Sequence, residues 1–125
     1  MALFGRNKRN MILKDIKNKL EEIDSNVFYG MVHSKMKETN WNYIVFNRKS
    51  LIPNTNKTSY SEVFSVHIIR ENFIPEDLAI DVINKMQEIA GVRLAGDGTY
   101  NYIEKSNTDM IVEMFSIDFV RAKKV

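Results

Sequence analysis

The chain contains no cysteine in its 125 residues. Without cysteine it cannot have a disulfide scaffold, a thiol nucleophile or a cysteine-ligated zinc or iron–sulfur site. It also lacks the run of about 20 apolar residues that a membrane-spanning helix needs. Residues 1–10 lack the apolar segment of a secretory signal, so we expect the chain not to be exported. These absences predict a protein without a membrane partner.

The basic residues concentrate at the two ends of the chain. Of 18 basic side chains, three lie in residues 1–10 and three more are Arg121, Lys123 and Lys124. Residues 11–120 carry 12 basic and 16 acidic side chains. A mildly acidic body with basic ends is not the continuous basic face typical of a DNA-binding domain. We expect residues 1–10 to form a flexible basic arm and residues 11–125 to form a single domain.

Two segments show the helical period of apolar residues. The first covers residues 11–24, and the second runs from Pro75 to Gly91. Their apolar stripes, spaced by three and four residues, are Leu13, Ile16, Leu20 and Ile23 in the first and Leu78, Val82, Met86 and Ile89 in the second. Proline is favoured in a first helical turn and glycine just after a last one. The pattern therefore predicts two amphipathic helices.

The remaining segments have the composition or the alternation of β-strands. The predicted strands are Val27–Ser34, Trp41–Lys49, Ser59–Arg70, Thr99–Lys105 and Met110–Arg121, and Gly91–Ala95 is a candidate for a further short strand. A period of two favours antiparallel pairing, and the short polar segment 35–40 predicts a hairpin between the first two strands. The coarse order α-β-β-β-α-β-β predicts an α+β fold. We expect a mostly antiparallel sheet of four to five strands, with the two helices on one face.

Two features do not fit this regular pattern. The segment Ser50–Thr58 contains Pro53, which cannot donate to a strand ladder, followed by an asparagine-rich run. We interpret it as a loop that is longer than a hairpin needs, and that either moves or becomes ordered when a partner binds. The second feature is Glu113, an acid on the apolar face of the last strand, for which the local sequence offers no reason.

A search for catalytic or cofactor motifs finds little. His33 and His67 lie on different predicted strands, and neither has a zinc-binding spacing to a second histidine or a carboxylate. The glycine-rich run 91–98 follows a helix and lacks the Lys-Ser/Thr of a phosphate loop. There is no Gly-x-Ser-x-Gly motif. The sequence therefore predicts neither an enzyme nor a bound cofactor or metal.

The second half of the chain resembles a viral protein family. Residues Glu62–Leu94 form a strand, an acidic turn, a helix that begins at proline and a glycine exit to a short strand. Tyr100-Asn101-Tyr102 follows, and the long final strand MIVEMFSIDFVRAKK ends in basic residues. This pattern is similar to the tail terminator, or tail completion, proteins of long-tailed bacteriophages. The resemblance is best over residues 60–124; before residue 60 it consists of element order and size.

The resemblance implies a structural protein of the virion, located at the junction of tail and neck and assembled in the host cytoplasm. Members of that family form a hexameric ring that caps the tail tube, stops its polymerisation and docks it to the head connector. The implied partners are other copies of the chain, the tail tube protein and the connector protein, while DNA passes through the lumen. The resemblance supplies no interface motif at the level of residues.

Candidate partner-facing residues follow from the sequence instead. In and around the 50–58 loop they are Arg48, Lys49, Asn54, Asn56 and Lys57, and at the end of the last strand they are Arg121, Lys123 and Lys124. Three other classes remain open: a different head–tail neck or completion protein, a cellular α+β domain that binds nucleic acid or a ligand, and a small enzyme. The enzyme would require a cleft that brings His33, His67 and a carboxylate together.

Overall fold

The computed structural model describes residues 2–30, 41–55, 58–104 and 110–124. Its elements, in chain order, are α1 (Ala2–Glu21), β1 (Val27–Tyr29), β2 (Tyr43–Pro53), β3 (Ser59–Glu71), α2 (Glu76–Gln87), β4 (Arg93–Leu94), β5 (Thr99–Glu104) and β6 (Ile111–Lys124). The helix predicted to start at residue 11 begins at Ala2 instead. Residues 2–10, assigned from the sequence to a basic arm, therefore have the helical backbone of α1.

The strands form one six-stranded sheet in the order β1-β2-β3-β6-β4, and β5 also pairs with β6. Strand β6 pairs with three other strands: β3 lies on one of its edges, and β4 and β5 pair with different parts of the other edge. All pairs except β1–β2 are antiparallel. The predicted α+β fold with a mostly antiparallel sheet is confirmed, with six strands rather than four to five.

The predicted hairpin between the first two strands is wrong. Strand β1 runs parallel to β2, with Val27 opposite Ile44 and Tyr29 opposite Phe46. The pairing continues at both ends, since Ile44 N–H donates to Asn26 O and Gly30 N–H donates to Phe46 O, each at 2.9 Å. Parallel neighbours need a crossover rather than a tight turn. The segment 35–40, on which the hairpin prediction rested, lies outside the described residues.

Helices α1 and α2 pack on the same face of the sheet, as predicted, and we call this the helix face. From α1 come Ile12, Ile16 and Leu20, and from α2 come Ala79, Val82 and Met86. The sheet side chains that they cover include three fully buried phenylalanines on neighbouring strands, Phe46, Phe64 and Phe119. A smaller cluster of Tyr43, Val45, Ile69 and Val112 lies on the opposite side, which we call the second face.

Two sets of ionic contacts hold the helices in place. Arg70 on β3 donates from Nη2 to Asp24 Oδ2 at 2.5 Å, and both side chains are mostly buried. On the surface, Lys19 contacts Glu88 and Lys85 contacts Glu22, both at 2.8 Å. The hydrogen bond and charge of Lys85 hold the pKa of Glu22 below its usual range. The first contact ties the end of α1 to the sheet, and the others link α1 to α2.

The structure explains Glu113. Its side chain is almost fully buried on β6, and its Oε1 accepts the backbone N–H of Ile74 at 2.7 Å. Tyr102 on β5 also bonds to Glu113, and this hydrogen bond raises the pKa of the tyrosine hydroxyl. The carboxylate thus satisfies a buried backbone donor in the link between β3 and α2. A distant contact, invisible in the local sequence, accounts for the acid.

We expect Glu113→Leu to lower the free energy of unfolding by about 1–3 kcal/mol, because it leaves the buried N–H of Ile74 without an acceptor. Glu113→Gln keeps an acceptor oxygen and should lose less. Urea denaturation followed by tryptophan fluorescence measures both variants, with Glu104→Leu on the exposed strand β5 as the control. A Glu113→Leu protein as stable as the wild type would contradict this role.

Candidate interaction surface at one end of the sheet

Strands β2, β3 and β6 continue together beyond the part of the sheet that the helices cover. On β2, residues Tyr43–Phe46 are buried, whereas every residue from Arg48 to Pro53 is exposed. The register keeps the three strands paired to the end, with Pro53 opposite Tyr60 and Tyr60 opposite Lys123. We call residues 48–53, 59–63 and 120–124 the exposed sheet end. These residues are exposed because the three strands extend beyond the part of the sheet that the helices cover.

Most of the sequence-predicted partner residues come together here. Arg48 and Lys49 lie on β2, Asn54 directly follows it, and Arg121, Lys123 and Lys124 form the end of β6. Asn56 and Lys57 lie outside the described residues. The pairing of β3 with both β2 and β6 places the β2–β3 connection beside the last residues of β6. The sequence predicted the residues separately, and the register supplies their proximity.

The predicted loop Ser50–Thr58 is corrected in its first half. Residues Ser50–Pro53 are part of β2, and Leu51 and Ile52 pair with Glu62 and Ser61. Pro53 occupies the last position of the strand, where proline is tolerated. The proline and the asparagines therefore mark the end of a strand. The sequence-based prediction was wrong in assigning the apolar residues before them, Leu51 and Ile52, to the loop as well.

Asn54 closes the turn rather than facing outward. Its N–H donates to Ser59 O at 3.1 Å, and its Nδ2 donates to Ser59 Oγ at 2.8 Å. Ser61 Oγ donates to Asn54 Oδ1 at 3.2 Å. These bonds tie the side chain of Asn54 to β3, so its place here is structural.

The two sides of the exposed sheet end differ in character. The register places on the helix-face side Arg48, Leu51, Tyr60, Glu62, Arg121 and Lys123. On the second-face side it places Ser50, Ile52, Ser61, Val63, Val120 and Ala122. One side is thus basic around a single acid, and the other is uncharged, with two serines among apolar residues. Exposed Leu51 and Ile52, at 57% and 49%, add one large apolar side chain to each.

The acid on the basic side is incompletely paired. Glu62 Oε1 is buried and has no hydrogen-bond partner among the described residues. The nearest cation is Arg121, whose Nη2 lies 4.0 Å away. Within the described ranges, no ion pair involves Arg48 or Lys123. Arg48, Glu62 and Lys123 border a depression of about 310 Å³ beside Leu51.

Lys49 belongs to a different group of contacts. A β-bulge between Arg48 and Ser50 leaves Lys49 unpaired in the ladder. Its Nζ reaches Asp118 Oδ2 at 2.6 Å, and Ser65 Oγ donates to Asp118 Oδ1 at 2.7 Å. Burial alone would raise the pKa of Asp118, but these two hydrogen bonds and the charge of Lys49 outweigh it and lower the pKa. Lys49 is therefore a cross-strand ion-pair partner.

A histidine and a serine adjoin this carboxylate on the second face. His67 Nδ1 and Ser116 Oγ are 2.7 Å apart on paired residues of β3 and β6. Burial lowers the pKa of His67, against the opposing charge of Asp118. With Asp97 and Thr99, the group lines a depression of about 400 Å³. We call the side chains Lys49, Ser65, His67, Ser116 and Asp118 the second-face polar network.

A serine beside a neutral imidazole has the geometry of a nucleophile and base. In this network, however, the contacts of Asp118 go to Lys49 and Ser65, and the serine–histidine pair lies across two adjacent strands. We interpret the network as polar bonding across strands β2, β3 and β6. His33 lies outside the described residues, and the part of the chain that is described contains no metal-binding group of three His, Cys, Asp or Glu side chains.

The sequence did not identify this network. One signal was available, because Ser65 and His67, and likewise Ser116 and Asp118, alternate with buried apolar residues and so share a face. The pairing of the two strands, which brings the four together, could not be read locally.

Comparison with known proteins does not assign the chain to a family. No protein-family model matches the chain, and no curated protein shows significant similarity to it. Among the described residues, no helix is both long and apolar enough to cross a membrane.

We expect acidification to destabilise the fold through His67. Its pKa is lower in the folded state than the unfolded value of about 6.5, so the unfolded chain binds the proton more tightly. The stabilising effect of the neutral ring is fully present above pH 6.5 and is lost as the pH falls through the folded pKa. Thermal melts of the wild type and His67→Gln at pH 7.5 and 5.5 measure it. The melting temperature of the wild type should fall further than that of the variant, and equal falls would contradict the prediction.

Proposed function

We propose that this chain is a structural protein of a long-tailed bacteriophage, a tail terminator that assembles into a ring on the end of the tail tube. The observation that carries the proposal is the exposed sheet end. On one side of three paired strands it presents Leu51 to solvent beside Arg48 and Lys123, and on the other side it presents Ile52. Such a surface suits contact with another protein.

The energetic argument concerns apolar exposure. Scattered apolar side chains are normal on a surface, whereas exposed apolar surface within a polar rim is typical of interaction sites. If a partner covered Leu51 and Ile52, each side chain would contribute to binding part of the roughly 1.5–3 kcal/mol that its full burial is worth. A partner that brings an apolar contact and negative charge would gain from both features.

The proposed role follows the resemblance of residues 60–124. In this role, copies of the chain form a closed hexameric assembly through one repeated contact between unlike surfaces. One side of the ring meets the tail tube protein and the other meets the head connector, in the virion at the tail–neck junction. DNA passes through the lumen. The role requires no catalysis, cofactor or membrane.

One observation favours a second candidate, a nucleic-acid-binding domain. Arg48, Arg121 and Lys123 lie on the same side of the exposed sheet end. Basic side chains along one surface can bind phosphates, with an affinity that falls steeply with salt. Glu62 lies among these basic side chains, and its negative charge weakens their attraction for phosphates. Titration of fluorescently labelled duplex and single-stranded DNA at two salt concentrations tests this alternative directly.

We expect the purified chain to form rings with a mass of about 88 kDa, six times the 14.6 kDa chain, in light scattering and negative-stain images. Leu51→Asp places a charge in the contact and should shift the mass to that of the monomer. Met11→Asp, at a similarly exposed apolar residue on α1, is the matched control and should leave the ring intact.

Addition of a candidate tail tube protein completes the test. Capping of tubes at one end, seen in negative stain, would support the terminator role specifically. A wild-type chain that stays monomeric, both alone and with tubes, would remove the proposal. Salt-sensitive DNA binding by such a monomer would favour the second candidate.

A further inference from the structure

A second exposed surface lies at the other end of the molecule, on the first half of α2. Three acids, Glu76, Asp77 and Asp81, are exposed there, and none of them has an ion pair in the described part of the chain. Ile80 lies among them and is 53% exposed, and Phe73, just before the helix, is 68% exposed. We call these five residues the α2 surface. It is acidic with large apolar side chains at its centre.

The favourable position of acids at a helix start explains only part of this surface. Glu76 and Asp77 suit the positive end of the α2 dipole. Asp81 lies beyond the first turn, and the dipole gives no reason to expose Ile80 and Phe73. A contact that buries these two side chains would account for the whole set.

The two surfaces cannot meet within one chain. The exposed sheet end lies at the Ser59 end of β3, and α2 follows the Glu71 end of the same strand. At about 3.3 Å per residue, the 13 residues of β3 separate the two ends by roughly 40 Å. Only a second copy can bring them together.

From this complementarity we propose that the exposed sheet end of one copy docks on the α2 surface of the next. Arg48 and Lys123 would face Asp77 and Asp81, while Leu51 would pack on Ile80. The contact joins unlike surfaces at opposite ends of the chain, so its repetition continues from copy to copy and gives a ring where the rotation between neighbours closes. This inference rests on the proposed function, because it names the contact between subunits of that ring.

Charge reversal and mixing test the contact. The double variant Arg48→Glu/Lys123→Glu makes the exposed sheet end acidic, and Asp77→Lys/Asp81→Lys makes the α2 surface basic. Each variant alone then presents like charges across the contact and should remain a monomer in light scattering at about 0.1 M salt. An equimolar mixture restores opposite charges at both kinds of contact, and should recover the wild-type mass with the two variants alternating.

Two control variants distinguish the effect of charge at this contact from the effect of changing the net charge of the protein. Lys14→Glu/Lys17→Glu on α1 and Glu21→Lys/Glu104→Lys carry equal charge changes at exposed residues elsewhere, and should assemble as the wild type does. Thermal melts establish that each variant is folded. Wild-type assembly should also weaken at about 1 M salt, where charges are screened within about 3 Å.

The outcomes distinguish this inference from the proposed function. Rings from either charge-reversed variant alone, or a mixture that stays monomeric although both variants are folded, would overturn the docking contact and leave a ring-forming protein with another interface. A wild-type chain that forms no ring, either alone or with tail tubes, would overturn the docking contact together with the proposed function. Recovery of assembly only in the mixture would establish the contact.

Discussion

The structure depends on a mismatch in length between its two layers. Strands β3 and β6 pair over 13 residues, which at about 3.3 Å per residue extends roughly 43 Å. Helix α1 has 20 residues and helix α2 has 12, so at 1.5 Å per residue they extend only about 30 Å and about 18 Å. A helix layer of this size can bury one part of the ladder and must leave another exposed. The core and the exposed sheet end are two consequences of the same geometry.

The same ladder explains how an uncovered sheet end stays ordered. Beyond Phe64 and Phe119, the last fully buried pair, apolar packing gives way to main-chain pairing and cross-strand polar contacts. The bulge at Lys49 contributes, because it lets that lysine reach Asp118 on β6. Charged side chains and bulges also discourage uncontrolled edge pairing between sheets. Order here comes from register and hydrogen bonds.

The sequence predicted features that depend on local period and missed those that depend on pairing. The apolar stripes of the two helices and the alternation of β3 and β6 identify elements of the α+β fold, because each element buries one face. The parallel partner of β1, the strand character of Leu51 and Ile52, and the acceptor role of Glu113 all depend on residues distant in sequence. The site was predicted in part: its basic residues were named, while their common surface and the polar network required the register.

In the proposed ring, charge and apolar contact have separate tasks. Exposed ion pairs contribute at most about 1 kcal/mol each, so Arg48 and Lys123 alone could not hold subunits together. These charges would instead orient the subunits, because opposite charges attract in the correct arrangement and like charges repel in a wrong one. Burial of Leu51 and Ile80 would supply the larger part of the affinity. Because the two surfaces lie at opposite ends of one continuously paired ladder, the angle between them determines whether copies close into a ring, and the hydrogen bonds of the ladder would help to hold that angle.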